Sequence, residues 1–517
     1  MVRPPILFRD RLFANLLLAV TAVAFAGMLQ FVWLARHWPL AHDAPLLRYV
    51  VFLISRGHAP YRDIVEINMP GTYMLESLGM AIFGPAAAGT WRLDVFSGLV
   101  ILFACLWIAS PRARIAAIFA GTFVIVQHLW DGPACLDQRD WYVAAFLLLG
   151  AGFCLHALRR RRPAWIAGAG LFSTISATIK PPYAIVGLGL LAAVLFYRRQ
   201  PSLERGRRFS TIALWFLAGS ALPLLAVALY LRHWHAAHAF VEALRGLIPY
   251  YAGLQRTPPG WLASYYAAHR PYLLAPIPLY ILNHSWRRPQ SNLLALATCL
   301  LALIFLAQAK GWIYQLYPVI ALSAIWAAIE IQYAFGERGW WRPTAAAVVL
   351  LWLFFLARPL PLRSEPLPNY SMDHIALLQS DLTRLGGPAL NKQVQCLDMT
   401  LAGCINVLYR MRLEQSTGFI YDFALFAPQA NPTVLTLRGR FMYEITANPP
   451  KVIVLSAHIW PSDRYGYDEL ANFPAFQSFL AEHYTLDPAT PASYIPEPNL
   501  WVNHPTSERL YRLYLLK

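Results

Sequence analysis

Over the first 358 residues, apolar positions gather into separate blocks broken by short polar or basic stretches. The blocks are roughly 17 to 22 residues long, the length a helix needs to cross about 30 Å of hydrocarbon. They predict spans at about 13–34, 90–110, 113–130, 141–158, 163–179, 183–197, 210–231, 271–286, 291–309, 313–334 and 343–358. A transmembrane barrel would instead show short alternating segments. The stretch MPGTYMLESLGMAIFG is apolar but short, and it reads as a helix lying in the outer interface. Counting it as a crossing would invert every later loop. The first block has a basic flank like a signal peptide, but it is too long for an h-region and has no convincing cleavage site, so it reads as a retained span.

After residue 358 the apolar runs shorten to strand length, and charge and proline rise. QVQCLD and KVIVLSA read as buried strands, CINVLYRMRL and PAFQSFLAEHY as helices, and ERLYRLYLL as a closing strand. The expected fold class is mainly α: a polytopic helical membrane bundle of about eleven spans over 1–358, followed by a small extracytoplasmic α/β domain over 359–517. Three outward segments, 36–89, 130–141 and 232–270, are longer or more polar than connectors require.

Composition agrees, with 57% hydrophobic and 14% charged residues among 517. The net charge of +16 raises nucleic acid as a partner. However, the arginines form no aromatic-interleaved patch; Arg112 and Arg114, Arg159 to Arg162, Arg287 and Arg288, and Arg338 and Arg342 punctuate alternate short loops. The positive-inside rule puts those loops and the N-terminus in the cytoplasm, and an odd number of spans then puts the C-terminal domain outside. Cys396 and Cys404 fall outside, where they could pair. No HExxH, GxSxG or Gly-rich phosphate loop is present.

Candidate chemistry concentrates on the outer side. The stretch from Arg36 to Gly71 packs Asp43, Asp63 and Glu66 among Arg48, Arg56 and Arg62. Asp43 suits a catalytic base; standing before Ala-Pro, it equally suits a helix N-cap. Asp63 and Glu66 are further candidate catalytic carboxylates, or exposed partners of Arg62. In the second loop Gln138, Arg139 and Asp140 sit where a span begins, and Arg139 suits a phosphate. Asp131, Asp137 and Asp140 offer oxygen donors for a possible divalent cation, although Asp131 reads better as a hydrated turn. Before the C-terminal domain the only lysines are Lys180 and Lys310, both at outward span ends, where an ammonium either holds a phosphate or snorkels. Tyr314 and its tyrosine neighbours line a groove or form an aromatic belt. The histidines, His42 and His128 among them, read as interfacial polar residues.

Several of these motifs fall in a familiar order. An Asp soon after the first span is followed by G-x-x-P-Y-R-D (Gly57, Pro60, Tyr61, Arg62, Asp63) and M-P-G with an apolar helix; DQRDW, IKPP, QAKGWIYQLYP and a terminal α/β domain come later. Together they resemble the GT-C integral-membrane glycosyltransferases, in the branch of the protein O-mannosyltransferases and aminoarabinose transferases. The resemblance implies a bacterial inner-membrane enzyme that transfers a sugar, with inversion, from a polyprenyl-phosphate donor to a hydroxyl of a glycan, lipid or protein acceptor on the outer face. Asp43 matches the family's first-loop base. Ala44 stands where a second acidic residue is often found, which argues against a paired-carboxylate or metal-dependent site. Asp43 would take the proton, while Arg139, Lys180 and Lys310 would hold the departing phosphate, with Arg62, Gln138, Asp140 and Tyr314 as further substrate contacts. The competing expectation is a lipid-linked-sugar flippase or a polysaccharide export or polymerisation component. A transporter would place ionisable groups near mid-membrane and show repeated halves, and neither is evident.

Overall fold

The computed structural model describes residues 8–197, 205–358, 373–398, 403–428, 431–457, 460, 466–488 and 510–517. The chain begins with α1 (Phe8–Ala35), α2 (Asp43–Ser55) and α3 (Pro70–Phe83), followed by α4 (Ala87–Ile108), α5 (Arg114–Trp130), α6 (Arg139–Arg160), α7 (Trp165–Ile179), α8 (Ala184–Tyr197) and α9 (Arg205–His233). Three short helices, α10 (Ala237–Arg245), α11 (Leu247–Gly253) and α12 (Pro259–His269), fill segment 232–270. The bundle closes with α13 (Pro276–Leu282), α14 (Pro289–Gln308), α15 (Tyr317–Phe335) and α16 (Trp341–Ala357).

Among the described residues, seven helices are long and apolar enough to cross a membrane, and four shorter apolar helices occupy the remaining predicted blocks. The bundle is layered by burial. In the most apolar stretches of α6 and α15, 83% of residues are buried, against 22% in α9, so the former two form the interior and the latter faces outward. Helices α7 and α9 meet backbone to backbone: a Cβ on Gly219 would lie 1.8 Å from the Ala167 carbonyl oxygen, and one on Gly170 would lie 2.1 Å from that of Phe216. Glycine is what lets two apolar helices approach so closely where lipid offers no hydrophobic drive. Helix α3 has 14 residues and rises about 21 Å, short of a crossing, as its length predicts.

The C-terminal segment forms a four-stranded sheet in the order β1-β2-β4-β3. β1 (Val394–Leu397) runs parallel to β2 (Val452–Ser456), while β4 (Tyr511–Leu516) is antiparallel to both β2 and β3 (Tyr484–Leu486). Both β1 and β2 are buried along their whole length, which is why they read as unbroken apolar runs. Helices α17 (Asp373–Leu385), α18 (Cys404–Met411), α19 (Pro432–Ala447) and α20 (Pro474–His483) complete the segment. A disulfide joins Cys396 in β1 to Cys404 at the start of α18. The sequence reading missed α17, α19 and β3, whose apolar patterns are short or diluted by charge.

Helix α2 and the loop after it are not a free connector. Leu46, Leu47, Val50 and Phe52 belong to the same hydrophobic core as Leu397, Ile405, Leu408 and Phe423. Asn406 donates to the Leu40 carbonyl at 3.0 Å, the Gln415 amide donates to the Tyr49 hydroxyl at 2.9 Å, and the Val65 amide donates to the Gly418 carbonyl at 2.8 Å. Gly418 approaches so closely that a Cβ there would sit 2.0 Å from the Asp63 carbonyl oxygen. The C-terminal segment therefore roofs the first loop.

Candidate functional site

Asp43 does not cap its helix. The residue before α2 is His42, held at φ 54°, and its side chain makes no capping hydrogen bond. A non-glycine residue in that region is uncommon and costs roughly 1–3 kcal/mol. The turn it makes directs the Asp43 carboxylate sideways: Oδ1 lies 3.1 Å from His42 Nδ1, and Oδ2 accepts from Gln138 Nε2 at 3.4 Å. Burial pushes Asp43 up, but His42, Arg139 and the Gln138 amide outweigh it and hold the carboxyl well below its ordinary range. His42 moves the other way. Burial lowers it and Asp43 raises it, and the net result is above the usual imidazole value.

The first turn of α6 brings the cations. Arg139 lies close enough for its charge to act on Asp43, and its Nε is buried with no hydrogen-bond partner among the described residues. The next residue, Asp140, is fully buried and pairs with Lys180, Nζ to Oδ2 at 2.5 Å; Tyr183 donates to its other oxygen at 2.7 Å. The Lys180 ammonium also lies 5.9 Å from the Tyr314 ring, which in turn is 6.4 Å from the His42 ring. Burial and Arg139 pull the Lys180 pKa below its ordinary value despite Asp140 and Asp43.

Lys310 stands beyond a patch of aromatic rings. Trp312 is 5.7 Å from Tyr314 and 6.5 Å from Tyr251, and Lys310 Nζ is 5.2 Å from the Tyr251 ring. The ammonium donates to the backbone carbonyls of Tyr251, at 3.1 Å, and Leu254. Burial, with Arg256 nearby, lowers its pKa to about 8.

Glu66 belongs to a neighbouring network under the roof. Its Oε1 accepts from the Ile67 and Asn68 amides at 2.7 and 2.8 Å, from Asn68 Nδ2 at 2.8 Å and from the Tyr421 hydroxyl at 2.9 Å. Burial pushes Glu66 above the carboxylate range against those donors. Tyr251 lies within reach of the charges of Arg139, Asp43 and Glu66 alike, so the two groups are adjacent. The reading of Glu66 as an exposed partner of Arg62 is therefore corrected: it is 1% exposed. Arg62 and Asp63 do pair with each other, at 2.8 Å on a largely exposed face. Asp63 also accepts from the Ala59 amide, and neither residue bonds to the Asp43 group among the described residues.

The structure superposes on that of ArnT from Cupriavidus metallidurans in the apo state with a TM-score of 0.54, and on the same protein bound to undecaprenyl phosphate with 0.52. In both cases identity is 13%, over 96% of this chain and 97% of the other. No family model matches the chain, and no curated protein matches it. The chain has the GT-C fold. With its apolar helices, that fold makes it a multi-pass membrane protein.

Within this GT-C fold a third polar group escaped sequence reasoning. Arg48 and Asp137, both fully buried, pair at 3.0 Å, and Tyr142 donates to Asp137. The Asp137 amide donates to Asp94 at 3.4 Å, and Asp94 meets His128 Nε2 at 2.8 Å. His128 stacks on Trp141 at 4.0 Å, so it is no interfacial residue. Burial and the charge of Asp137 push Glu76 on α3 far above the carboxylate range, against Arg48. The available signal was a charge inside an apolar run, Glu76 in LESLG and Asp94 in RLDVF. Asp131 is corrected as well: instead of forming a hydrated turn, its side chain is buried against Arg270 at 2.5 Å, because segment 232–270 folds over segment 130–141. Tyr314 and Tyr317 are buried rather than belt residues and Tyr251 is half-buried, whereas Tyr265 is exposed. No group of three His, Cys, Asp or Glu side chains suited to a metal ion occurs among the described residues.

Proposed function

We propose that this protein is a membrane glycosyltransferase that moves a sugar from a polyprenyl-phosphate donor to an acceptor hydroxyl. The observation that carries the reading is the meeting of Asp43, Arg139 and Lys180, from three distant segments, in one polar cluster. In the reaction the acceptor oxygen bonds to the anomeric carbon as the bond from that carbon to the phosphate oxygen breaks. The hydroxyl proton leaves toward Asp43, and polyprenyl phosphate departs with the bonding pair. One carboxylate acting opposite the leaving group suits a single displacement with inversion.

A departing phosphate needs fixed positive charge. Arg139 supplies a guanidinium whose buried Nε has no hydrogen-bond partner among the described residues, and Lys180 and Lys310 supply ammonium groups. Gln138 and Asp140 hold Asp43 and Lys180 in place, and Tyr314 lies between them. The undecaprenyl phosphate bound by ArnT supports a polyprenyl donor here. The acceptor is a glycan, lipid or protein hydroxyl. The basic connectors support a bacterial inner-membrane location with a cytoplasmic N-terminus and the C-terminal domain, from 359 onward, outside.

The test is incubation of purified protein with a panel of radiolabelled polyprenyl-phosphate sugars. Release of polyprenyl phosphate that depends on an added acceptor supports the reading. Transport of labelled lipid across vesicles without any release would favour a flippase instead.

A further inference from the structure

We propose, resting on the transferase reading above, that His42 is a positioning residue that receives the hydroxyl proton from Asp43, so that the base is the pair and not the carboxylate alone. The geometry is a direct contact, His42 Nδ1 to Asp43 Oδ1 at 3.1 Å. Among the described residues the other carboxylate oxygen, Oδ2, meets only the long Gln138 contact at 3.4 Å, which leaves that side of the carboxylate for an acceptor hydroxyl. His42 has a positive φ of 54°, and its ring lies against the side chain of its own neighbour. Both side chains are mostly but not wholly enclosed, at 23% and 15% exposure, so a proton taken up during transfer can afterwards return to water.

The need for a second member follows from charge. Asp43 faces Arg139 from α6 as well as His42, and a carboxylate among cations binds a proton weakly. A general base works best when its proton affinity lies near the operating pH. The imidazole is affected by Asp43 on α2, which raises it, and by Arg139, which opposes; the Tyr314 ring lies 6.4 Å away. Of the two groups, the ring is the better resting place. In the step, the hydroxyl proton passes to Asp43 Oδ2 as the new glycosidic bond forms. The carboxyl group then turns about Cβ–Cγ so that the protonated oxygen faces the ring, and the proton passes to Nδ1 of His42 in its Nε2–H tautomer; Asp43 is again a carboxylate, His42 is an imidazolium, and the ring afterwards gives the proton to water. The active form therefore has neutral His42, and the titration belongs to the coupled pair.

The experiment is the pH dependence of kcat/KM for polyprenyl phosphate release by the full-length protein, in wild type and in His42→Asn. Asparagine keeps a side-chain amide that can donate to Asp43, but it cannot take up a proton. The proposal expects a wild-type acidic limb with an apparent pKa above 6.5 that moves down by more than a unit in His42→Asn, with kcat lowered about tenfold or more and KM little changed. An unchanged limb in His42→Asn, or a wild-type limb in the carboxylate range, overturns the role of His42 and leaves the transferase reading intact. Absence of release from wild type with every donor overturns both. A second measurement does not depend on the variant folding: the rate of carbethoxylation of His42 against pH, read by mass spectrometry in wild type and Asp43→Asn. A midpoint that falls when Asp43 is neutralised supports the pair, and an equal midpoint in both proteins overturns it.

Discussion

Lys180 and Asp140 form a close ion pair, 2.5 Å from Nζ to Oδ2, with the carboxylate fully buried and the ammonium side chain 14% exposed. Lys180 is thus no snorkelling residue with its charge spent on water. Removing one partner of a buried pair strands the other, which costs about 3–5 kcal/mol. Lys180→Ala is expected to lower the Tm of the detergent-purified protein as well as abolish polyprenyl phosphate release. Lys180→Ala combined with Asp140→Asn should regain most of the lost Tm but none of the activity. A wild-type Tm and wild-type kinetics in Lys180→Ala would make the pair incidental.

The Asp43 carboxylate contacts His42 and Gln138, and an amide of the same shape occupies the same space. Asp43→Asn should therefore insert and fold as wild type while kcat falls roughly 10²–10⁴-fold. The check is release of radiolabelled polyprenyl phosphate beside a size-exclusion profile. Turnover within a few-fold of wild type would remove Asp43 from the reaction.

Lys310 titrates near pH 8 rather than at 10.5. If its ammonium helps hold the phosphate, kcat/KM should decline as pH rises through about 8, and Lys310→Arg should remove that decline. Stability moves oppositely. Between about 8 and 10.5 the unfolded chain binds more protons at this lysine than the folded one, so its contribution to stability increases with pH across that window. A flat activity profile from pH 7 to 9.5 would exclude Lys310 from phosphate binding.

Gly418 touches the backbone of the first loop so closely that any side chain must displace Asp63 or itself. Overpacking of this kind costs about 1–3 kcal/mol. Gly418→Val is expected to loosen the C-terminal roof, seen as faster limited proteolysis after residue 358, with weaker substrate binding. Proteolysis at the wild-type rate would show that the contact is not restrictive.

Much of this architecture was readable from the linear pattern. Among the described residues the seven long and four shorter apolar helices follow their blocks because a bilayer demands apolar helices regardless of partners, and Cys396 and Cys404, which could pair, do form a disulfide. Asp43, Arg139 and Lys180 stood out because charge near apolar spans is costly. Glu76 and Asp94 carried the same signal, a charge inside an apolar run, and went unread. His42 and His128 did not stand out, because nothing in a one-dimensional pattern distinguishes a buried, partnered imidazole from an exposed one. Asp131 misled for the same reason: its loop looks hydrated until α12 brings Arg270 onto it.

What the sequence by itself determined is the number of apolar helices, their order and the change of composition after residue 358, since these depend on runs of neighbouring residues and on solvent. Only the tertiary structure decided that α2 joins the core of the C-terminal segment, and that His42 rather than a helix end receives the Asp43 carboxylate. It also decided that Lys180 is already paired. Those outcomes depend on contacts between residues tens to hundreds of positions apart, and a few ångströms of placement fix the sign of each charge interaction.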